Sequence, residues 1–331
     1  MTVTASIPIP RSKLARRIEW PTLVAASAIY GGFGLLTWFY EALPWWLVLP
    51  LGGYLVAWQG SLQHEVVHGH PTPWRWVNEA LVFPSLWLWL PYSLYRDSHL
   101  VHHQDENLTD PYNDPESNYL SPETWAVLGP IQRGMHWWLK TVSGRLLLGP
   151  VRCVGTFFAG EIRRLVRGDT GHLGVWAVHA GACAVVLVWV MWVCEIPFVA
   201  YVALFAYPGT SLTLLRSFLE HQAREDVSQR TVVVEAGPVM SLLYLNNNLH
   251  TLHHAEPGLA WYRLPARYRA ERARLLERNG GCLFSGYGEV LARYLFWPKE
   301  TPVHPFAGRP STVQVAAIQE PAAPFSAEPA T

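Results

Sequence analysis

The sequence predicts an all-α integral membrane protein with two transmembrane hairpins and a helical cap on the cytoplasmic side. Half of the 331 residues are hydrophobic and only 15% are charged. Soluble domains average about 25% charged residues, so the low charge indicates a lipid environment. The 17 Trp agree with this, because indole rings collect at the membrane–water boundary. The third observation is that the apolar residues form long runs with few or no charged residues, which divide the chain as follows.

The first predicted hairpin comprises residues 21–40 and 44–63, two runs that contain no charged residue. About 20 helical residues, at 1.5 Å each, cross a hydrocarbon core of about 30 Å. The connection of three residues is so short that the two helices must be antiparallel neighbours. Residues 80–95 are also apolar, but Pro84 and Pro91 interrupt them. We expect that stretch to be re-entrant or interfacial rather than a crossing.

The second predicted hairpin comprises residues 173–194 and 197–218. With four crossings in all, both termini are predicted to lie on the same side of the membrane. Lys and Arg occur in residues 1–20, 64–172 and 219–307 but at neither hairpin tip. The positive-inside rule therefore predicts that these three segments are cytoplasmic.

The remaining segments have simpler predictions. Residues 144–169 mix aliphatic residues with Arg, which fits an amphipathic helix on the cytoplasmic surface or a plain solvated helix. Residues 308–331 are rich in Ala, Pro, Ser and Glu and are predicted to be a disordered tail. The 22 Arg against 3 Lys suggest a GC-rich bacterial genome and hence the inner membrane of a bacterium. The balance of 25 basic and 25 acidic residues argues against nucleic-acid binding.

Histidine placement is the main functional signal. Ten of the 14 His fall in four places, and the two HxxHH boxes have a spacing that puts imidazoles on one face of a helix. The predicted topology brings all four places to the cytoplasmic membrane boundary. The four places are His64-Glu65-Val66-Val67-His68-Gly69-His70, His99-Leu100-Val101-His102-His103, Glu220-His221 and His250-Thr251-Leu252-His253-His254.

The number of candidate ligands predicts two metal ions, because a single tetrahedral zinc takes only four. Imidazole alone does not name the metal. His70 is either an alternative ligand to His68 or a neighbour of the site, and His179 is expected to form an interhelical hydrogen bond. The nine candidate metal ligands are His64, His68, His99, His102, His103, His221, His250, His253 and His254.

These boxes resemble those of the integral-membrane fatty acid desaturase and hydroxylase superfamily, which includes alkane hydroxylases and carotenoid ketolases. The resemblance covers about residues 20–270. The matching segments are the three boxes at 64–68, 99–103 and 250–254, the Asn run 246–248 before the third box, and the Asp-Pro pairs at 110–111 and 114–115. One residue departs from the pattern: Ser217 stands where relatives often have Asn, and Asn248 is the candidate replacement.

The resemblance implies a non-haem di-iron centre held by the nine histidines, with O2 as co-substrate. It also implies electrons from a separate ferredoxin, rubredoxin or cytochrome-type donor, and the four cysteines lack the spacing of an iron–sulfur module. Carboxylates next to the boxes could accept ring N–H bonds, although each is as readily an ordinary solvated acid. These acidic candidates are Glu65, Asp97, Asp105, Asp110 and Glu220.

The expected activity is therefore desaturation of a fatty acyl or similar apolar chain, with hydroxylation or ketolation of a hydrocarbon or carotenoid-like substrate as the alternative. The boxes do not distinguish these outcomes, nor do they identify the substrate. A distant alternative is a membrane zinc metalloprotease, because residues 64–68 match HExxH with Glu65 as the base. A metal transporter is disfavoured, since transport sites lie near the bilayer midplane.

Overall fold

The computed structural model describes residues 18–307, and the chain is mostly helical. Two predicted tails lie outside the described part: residues 1–17 of the N-terminal tail, and the C-terminal tail, residues 308–331. The α-helices are α1 (Trp20–Trp38), α2 (Trp45–Val67), α3 (Arg75–Val82), α4 (Tyr92–His102), α5 (Pro122–Ala126), α6 (Pro130–Leu139), α7 (Val142–Leu147), α8 (Gly149–Val166), α9 (Leu173–Val188), α10 (Phe198–Tyr201), α11 (Tyr207–Glu220), α12 (Pro238–Leu243), α13 (His250–Ala255), α14 (Leu264–Arg278) and α15 (Tyr287–Tyr294). Short 3-10 turns occur at Tyr40–Ala42, Asp105–Asn107 and Val227–Gln229.

Both predicted hairpins are present as helix pairs. α1 and α2, of 19 and 23 residues, are joined by the turn Tyr40–Ala42. In the second pair, π-helical turns at Trp189–Val193 and Val202–Ala206 continue the helices into runs of 21 and 23 residues, Leu173–Val193 and Phe198–Glu220. Within residues 18–307 these two runs are long and apolar enough to cross a membrane. Four crossings and the cytoplasmic side of the cap stay predictions.

The apolar stretch at residues 80–95 does not form a spanning helix. Between α3 and α4 the backbone is irregular, and Leu88 has a left-handed φ of 68°. Its carbonyl groups are bonded by side chains of the helices: Gln59 donates to the carbonyl of Pro84, and Tyr201 donates to that of Leu86. Irregular backbone between membrane helices needs such partners, because lipid offers none.

Glycines allow α2 and α11 to pack closely. A Cβ added at Gly209 of α11 would lie 2.4 Å from Cγ1 of Val56, and one added at Gly52 of α2 would lie 2.7 Å from the carbonyl oxygen of Leu204. Small residues at such crossings let helix backbones approach each other. The close packing fixes the ends of α2 and α11 side by side.

The residues after α11 form a cap over these helix ends. β1 (Val233–Val234) and β2 (Leu283–Phe284) pair in parallel with Val233 opposite Leu283. A small apolar core, separate from the main one, joins this pair to α13 and α14 through residues such as Leu252, Leu264 and Tyr268. The cap therefore holds α13 rigidly against the ends of the long helices.

We expect Gly209→Ala to destabilise the protein by about 1–3 kcal/mol, because the new methyl group would overlap Val56. Thermal melting of the detergent-solubilised protein measures the effect. Gly31→Ala on α1 is the matched control, since a Cβ there meets no atom within 4 Å. Equal melting temperatures for the two variants would contradict the proposed close packing of α2 and α11.

Candidate metal centre

The ends of four helices bring the nine candidate histidines together. Each box lies on a helix or at its last residue, so its imidazoles project from one turn toward the same side. α2 supplies His64 and, at its C-cap, His68; α4 supplies His99 and His102, with His103 at its C-cap; His221 is the C-cap of α11; α13 supplies His250, His253 and His254.

The nine side chains form two groups, each of which could hold a metal ion. In each group the candidate ligand atoms all lie within 4.8 Å of one another. The group of five contains His64, His68, His99, His103 and His253, and the group of four contains His102, His221, His250 and His254. Every box contributes to a site that is built from distant parts of the chain.

Distances between ring nitrogens match those expected of ligands to a common ion. Nε2 of His103 lies 3.0 Å from Nε2 of His99, and Nε2 of His102 lies 2.9 Å from that of His221. Two nitrogens bound to one metal at about 2.1 Å are about 3.0–3.4 Å apart at octahedral to tetrahedral angles. Further close pairs are His68 with His99, His250 with His221 and His253 with His103, whose Nε2 atoms are 3.3, 3.0 and 3.1 Å apart.

Two carboxylates, the buried Asp114 and the partly exposed Glu116, orient rings of the second box. Nδ1–H of His102 donates to Oδ1 of Asp114 over 2.9 Å, and Nδ1–H of His99 donates to Oε1 of Glu116 over 3.1 Å. A carboxylate that is ionised only accepts hydrogen bonds, so a ring that faces one carries its proton on Nδ1. The lone pair of Nε2 then faces the centre, which is the arrangement that metal-binding histidines need.

Asn247 links the two groups. Its amide nitrogen is 3.4 Å from Nε2 of His64, in the group of five, and its amide oxygen is 3.2 Å from Nδ1 of His250, in the group of four. The same amide nitrogen donates to Oε1 of Glu220 over 3.0 Å. Arg216, one turn before Glu220, forms an ion pair of 2.8 Å with that carboxylate. The Asn247 amide thus contacts both groups, and the ion pair adjoins that amide.

Burial keeps most of the rings neutral. It lowers the pKa of His99, His250 and His253, and the neighbouring imidazoles lower it further. Neutral imidazole is the form that binds a metal ion. His102 differs: burial lowers its pKa, but Glu116 and Asp114 outweigh that effect and raise it to about 9. The acidic pair therefore favours a cation at this position, whether a proton or a metal ion.

Three of the other predicted neighbours make their bonds elsewhere. Asp97 is bonded to Arg96, and Asp110 accepts the backbone N–H groups of residues 112 and 113. Asn248 donates to the carbonyl of Val234. The structure places Asn247 beside the rings, and the role expected of Asn248 stays a prediction. The side chain of Asp105 lies outside what the structure describes.

Glu65 and His70 belong to a separate cluster beside the site. Nδ1–H of His70 donates to Oε1 of Glu19 over 2.8 Å, and its Nε2 is 3.9 Å from Oε1 of Glu65. Glu65 also accepts the backbone N–H of Trp261. Neither residue is in the two histidine groups, whereas His68 is in the group of five, so the grouping favours His68 over His70 as a ligand. Of the predicted acids, Glu220 approaches a ring most closely, at 3.5 Å from Nδ1 of His250.

Sequence reasoning missed Asp114, Glu116 and Asn247 as neighbours of the rings. Asp114 belongs to the second Asp-Pro pair and Asn247 to the Asn run, so both lay within segments already singled out. Glu116 comes directly after the second Asp-Pro pair. His179 lies away from the groups, and its Nε2–H donates to the carbonyl of Leu88 over 2.9 Å, which joins α9 to the irregular segment between α3 and α4 rather than to another helix.

Comparison with known families agrees with this geometry. The model of the family described as "Fatty acid desaturase" matches residues 40–285, about three quarters of the chain, and spans all nine histidines. A search of curated proteins found no match. The family match confirms the resemblance carried by the three boxes: the chain belongs to the fatty acid desaturase family.

Proposed function

We propose that the protein is a membrane-bound non-haem di-iron oxygenase that desaturates a fatty acyl or similar apolar chain. The observation that carries the proposal is the division of the nine histidines into groups of five and four, two sets of convergent nitrogen donors. Imidazole suits iron, and paired sites suit a two-metal centre. Bound iron would supply the activation of O2 that removal of hydrogen from an unactivated C–H bond requires.

The nine histidines would hold the two ions, and their neighbours would set the orientation of the rings. Asp114 and Glu116 fix the Nδ1–H tautomers of His102 and His99, while Asn247 and Glu220 do the same for His250. His99, His102 and His250 are each only 2% exposed. Exclusion of bulk water protects reactive species from side reactions.

The proposed location matches the needs of the reaction. A site at the boundary of the membrane can receive an apolar chain from lipid and electrons from a soluble donor. We therefore propose a separate ferredoxin, rubredoxin or cytochrome-type donor at the cytoplasmic face of a bacterial inner membrane, with both termini on that side. The four cysteines, which are free thiols, offer no alternative internal carrier.

The protease alternative gains no support from the geometry. An HExxH base must reach a water on the metal. Glu65 instead accepts a hydrogen bond from the backbone of Trp261 and lies beside His70. His64 and His68 are also joined by three further histidines, where a catalytic zinc usually has only three protein ligands.

Loss of one ligand from either group should abolish activity. We expect His103→Ala, in the group of five, and His254→Ala, in the group of four, to reduce turnover by more than about 100-fold and to lower bound iron, because each removes a direct ligand. Elemental analysis of the purified wild type should give about two iron ions per chain. One zinc and no iron would refute the proposal.

The matched control for these variants is His172→Gln, because His172 pairs with Glu161 away from the two groups. It should retain both iron and turnover. Full activity in the two alanine variants would instead show that the proposed ligands are wrong.

Asp114→Asn should weaken iron binding by about 10–100-fold, because the neutral amide no longer holds the Nδ1–H of His102 as firmly. The rate of iron loss to a chelator measures the effect, and a melting curve separates it from general unfolding. Asp97→Asn is the control, since Asp97 is exposed and pairs with Arg96. Similar rates of iron loss in the two variants would contradict a role for Asp114 in orienting His102.

The product mass decides between desaturation and hydroxylation. We expect cells that express the protein with a reductase system to contain a lipid lighter by two hydrogen atoms, in contrast to cells that express His254→Ala. Untargeted mass spectrometry of lipid extracts makes the comparison. A product heavier by one oxygen atom would support the hydroxylase alternative and refute the desaturase assignment.

A further inference from the structure

The chain beyond α15 forms a strap, residues 298–306, that is fixed to the segment between α4 and α7. The backbone N–H of Leu120 donates to a strap carbonyl over 2.8 Å, and the N–H of His304 donates to the carbonyl of Leu120 over 3.0 Å. Near the start of the strap, the N–H of Lys299 donates to the carbonyl of Lys140 over 2.8 Å. Two side chains of the strap, those of Lys299 and His304, reach further toward the metal centre.

Lys299 binds the C-terminal end of α11. Its side chain is only 7% exposed, and its ammonium group donates to the carbonyl oxygens of Phe218 and His221 over 2.7 and 3.0 Å. The last carbonyl groups of a helix have no partner within the helix, and a cation at this end also interacts favourably with the helix dipole. Lys299 therefore fixes the backbone at the point where α11 ends in a candidate ligand, His221.

The ring of His221 depends on the position of that backbone. His221 has extended backbone, with φ −131° and ψ 155°, and its Nδ1–H donates to the carbonyl of Arg230 over 3.3 Å. Nε2 of the same ring lies 2.9 Å from Nε2 of His102 and 3.0 Å from that of His250. A movement of the His221 backbone would therefore displace its Nε2 from the group of four.

His304 acts through Thr109 and Asp114. Because the N–H of Phe306 donates to Nδ1 of His304 over 3.1 Å, that ring carries its proton on Nε2, which donates to Oγ1 of Thr109 over 3.1 Å. Burial lowers the pKa of His304 to about 4, which keeps the ring neutral. The backbone N–H of Thr109 donates to Oδ2 of Asp114 over 2.9 Å, and Oδ1 of Asp114 accepts the Nδ1–H of His102. The strap thus reaches the ring of His102 through two residues.

Both connections end in the group of four, because His102 and His221 are members of that group. We propose that the strap positions the ligands of one of the two metal ions, the ion of the group of four, and that Lys299 and His304 are its positioning residues. This role rests on the two-metal centre of the proposed function, but not on the identity of the metal or on the reaction that it catalyses. It makes the two sites unequal, since the affinity of one of them depends on the C-terminal segment.

Equilibrium dialysis of the full-length, detergent-solubilised protein against Co2+ tests this role without relying on iron or on turnover. We expect the wild type to bind one ion for each group, two per chain. Lys299→Met and His304→Leu should each weaken the binding of one ion by about tenfold or more and leave the other unchanged, because contacts that orient ligands contribute to metal affinity on this scale. His304→Gln should restore binding, since its amide N–H can replace the Nε2–H of the imidazole.

A control variant separates positioning from a general loss of stability. Val290 on α15 is fully buried, so Val290→Ala should lower the melting temperature by leaving a cavity but should bind both ions as the wild type does. The role of the strap is overturned if Lys299→Met and His304→Leu bind both ions normally or lose both equally, if Val290→Ala loses one ion to the same extent, or if His304→Gln behaves like His304→Leu.

The same experiment distinguishes failure of this role from failure of the proposed function. A wild type that binds two Co2+ ions, of which the strap variants lose one, would support the role even if the iron-loaded enzyme gave no lipid product. Normal binding in the strap variants of an active desaturase would refute the role alone. A wild type that binds fewer than two ions would overturn both.

Discussion

Nine imidazole rings can share so small a volume only if most of them are neutral and if each directs a lone pair toward the same point as its neighbours. Burial lowers the pKa of rings such as His250 and His253, and their mutual proximity adds to the effect. Orientation needs a separate partner for Nδ1, which Asp114 and Glu116 provide for the second box. The rest of the fold has to deliver the rings and these partners to one place.

The helical part of this arrangement was predictable from the sequence, whereas its loop part was not. Spacings of three and four residues within the boxes, and the length of the uncharged runs, follow from helix geometry. Asp114 lies 12 residues from His102, and Glu116 lies 17 residues from His99, across irregular backbone. No periodicity relates positions in such a loop. Sequence reasoning therefore expected acids near the boxes but named Asp97 and Asp110 among them, and not Asp114 and Glu116, which bind the rings.

In the Asn run before the third box, the backbone conformation determines which side chain faces the histidine rings. Leu245 and Asn246 both have left-handed φ values, 46° and 57°, which turn the chain just before α13. As a result Asn247 reaches His64 and His250, while Asn248 turns to the carbonyl of Val234. Asn tolerates left-handed backbone better than most residues. The sequence does not show, however, which of three consecutive Asn side chains will face the rings.

The buried charges beside the two candidate metal positions are paired. Arg216 is buried, yet it pairs with Glu220, which in turn accepts the amide of Asn247. A buried ion pair with further hydrogen bonds repays much of its desolvation cost.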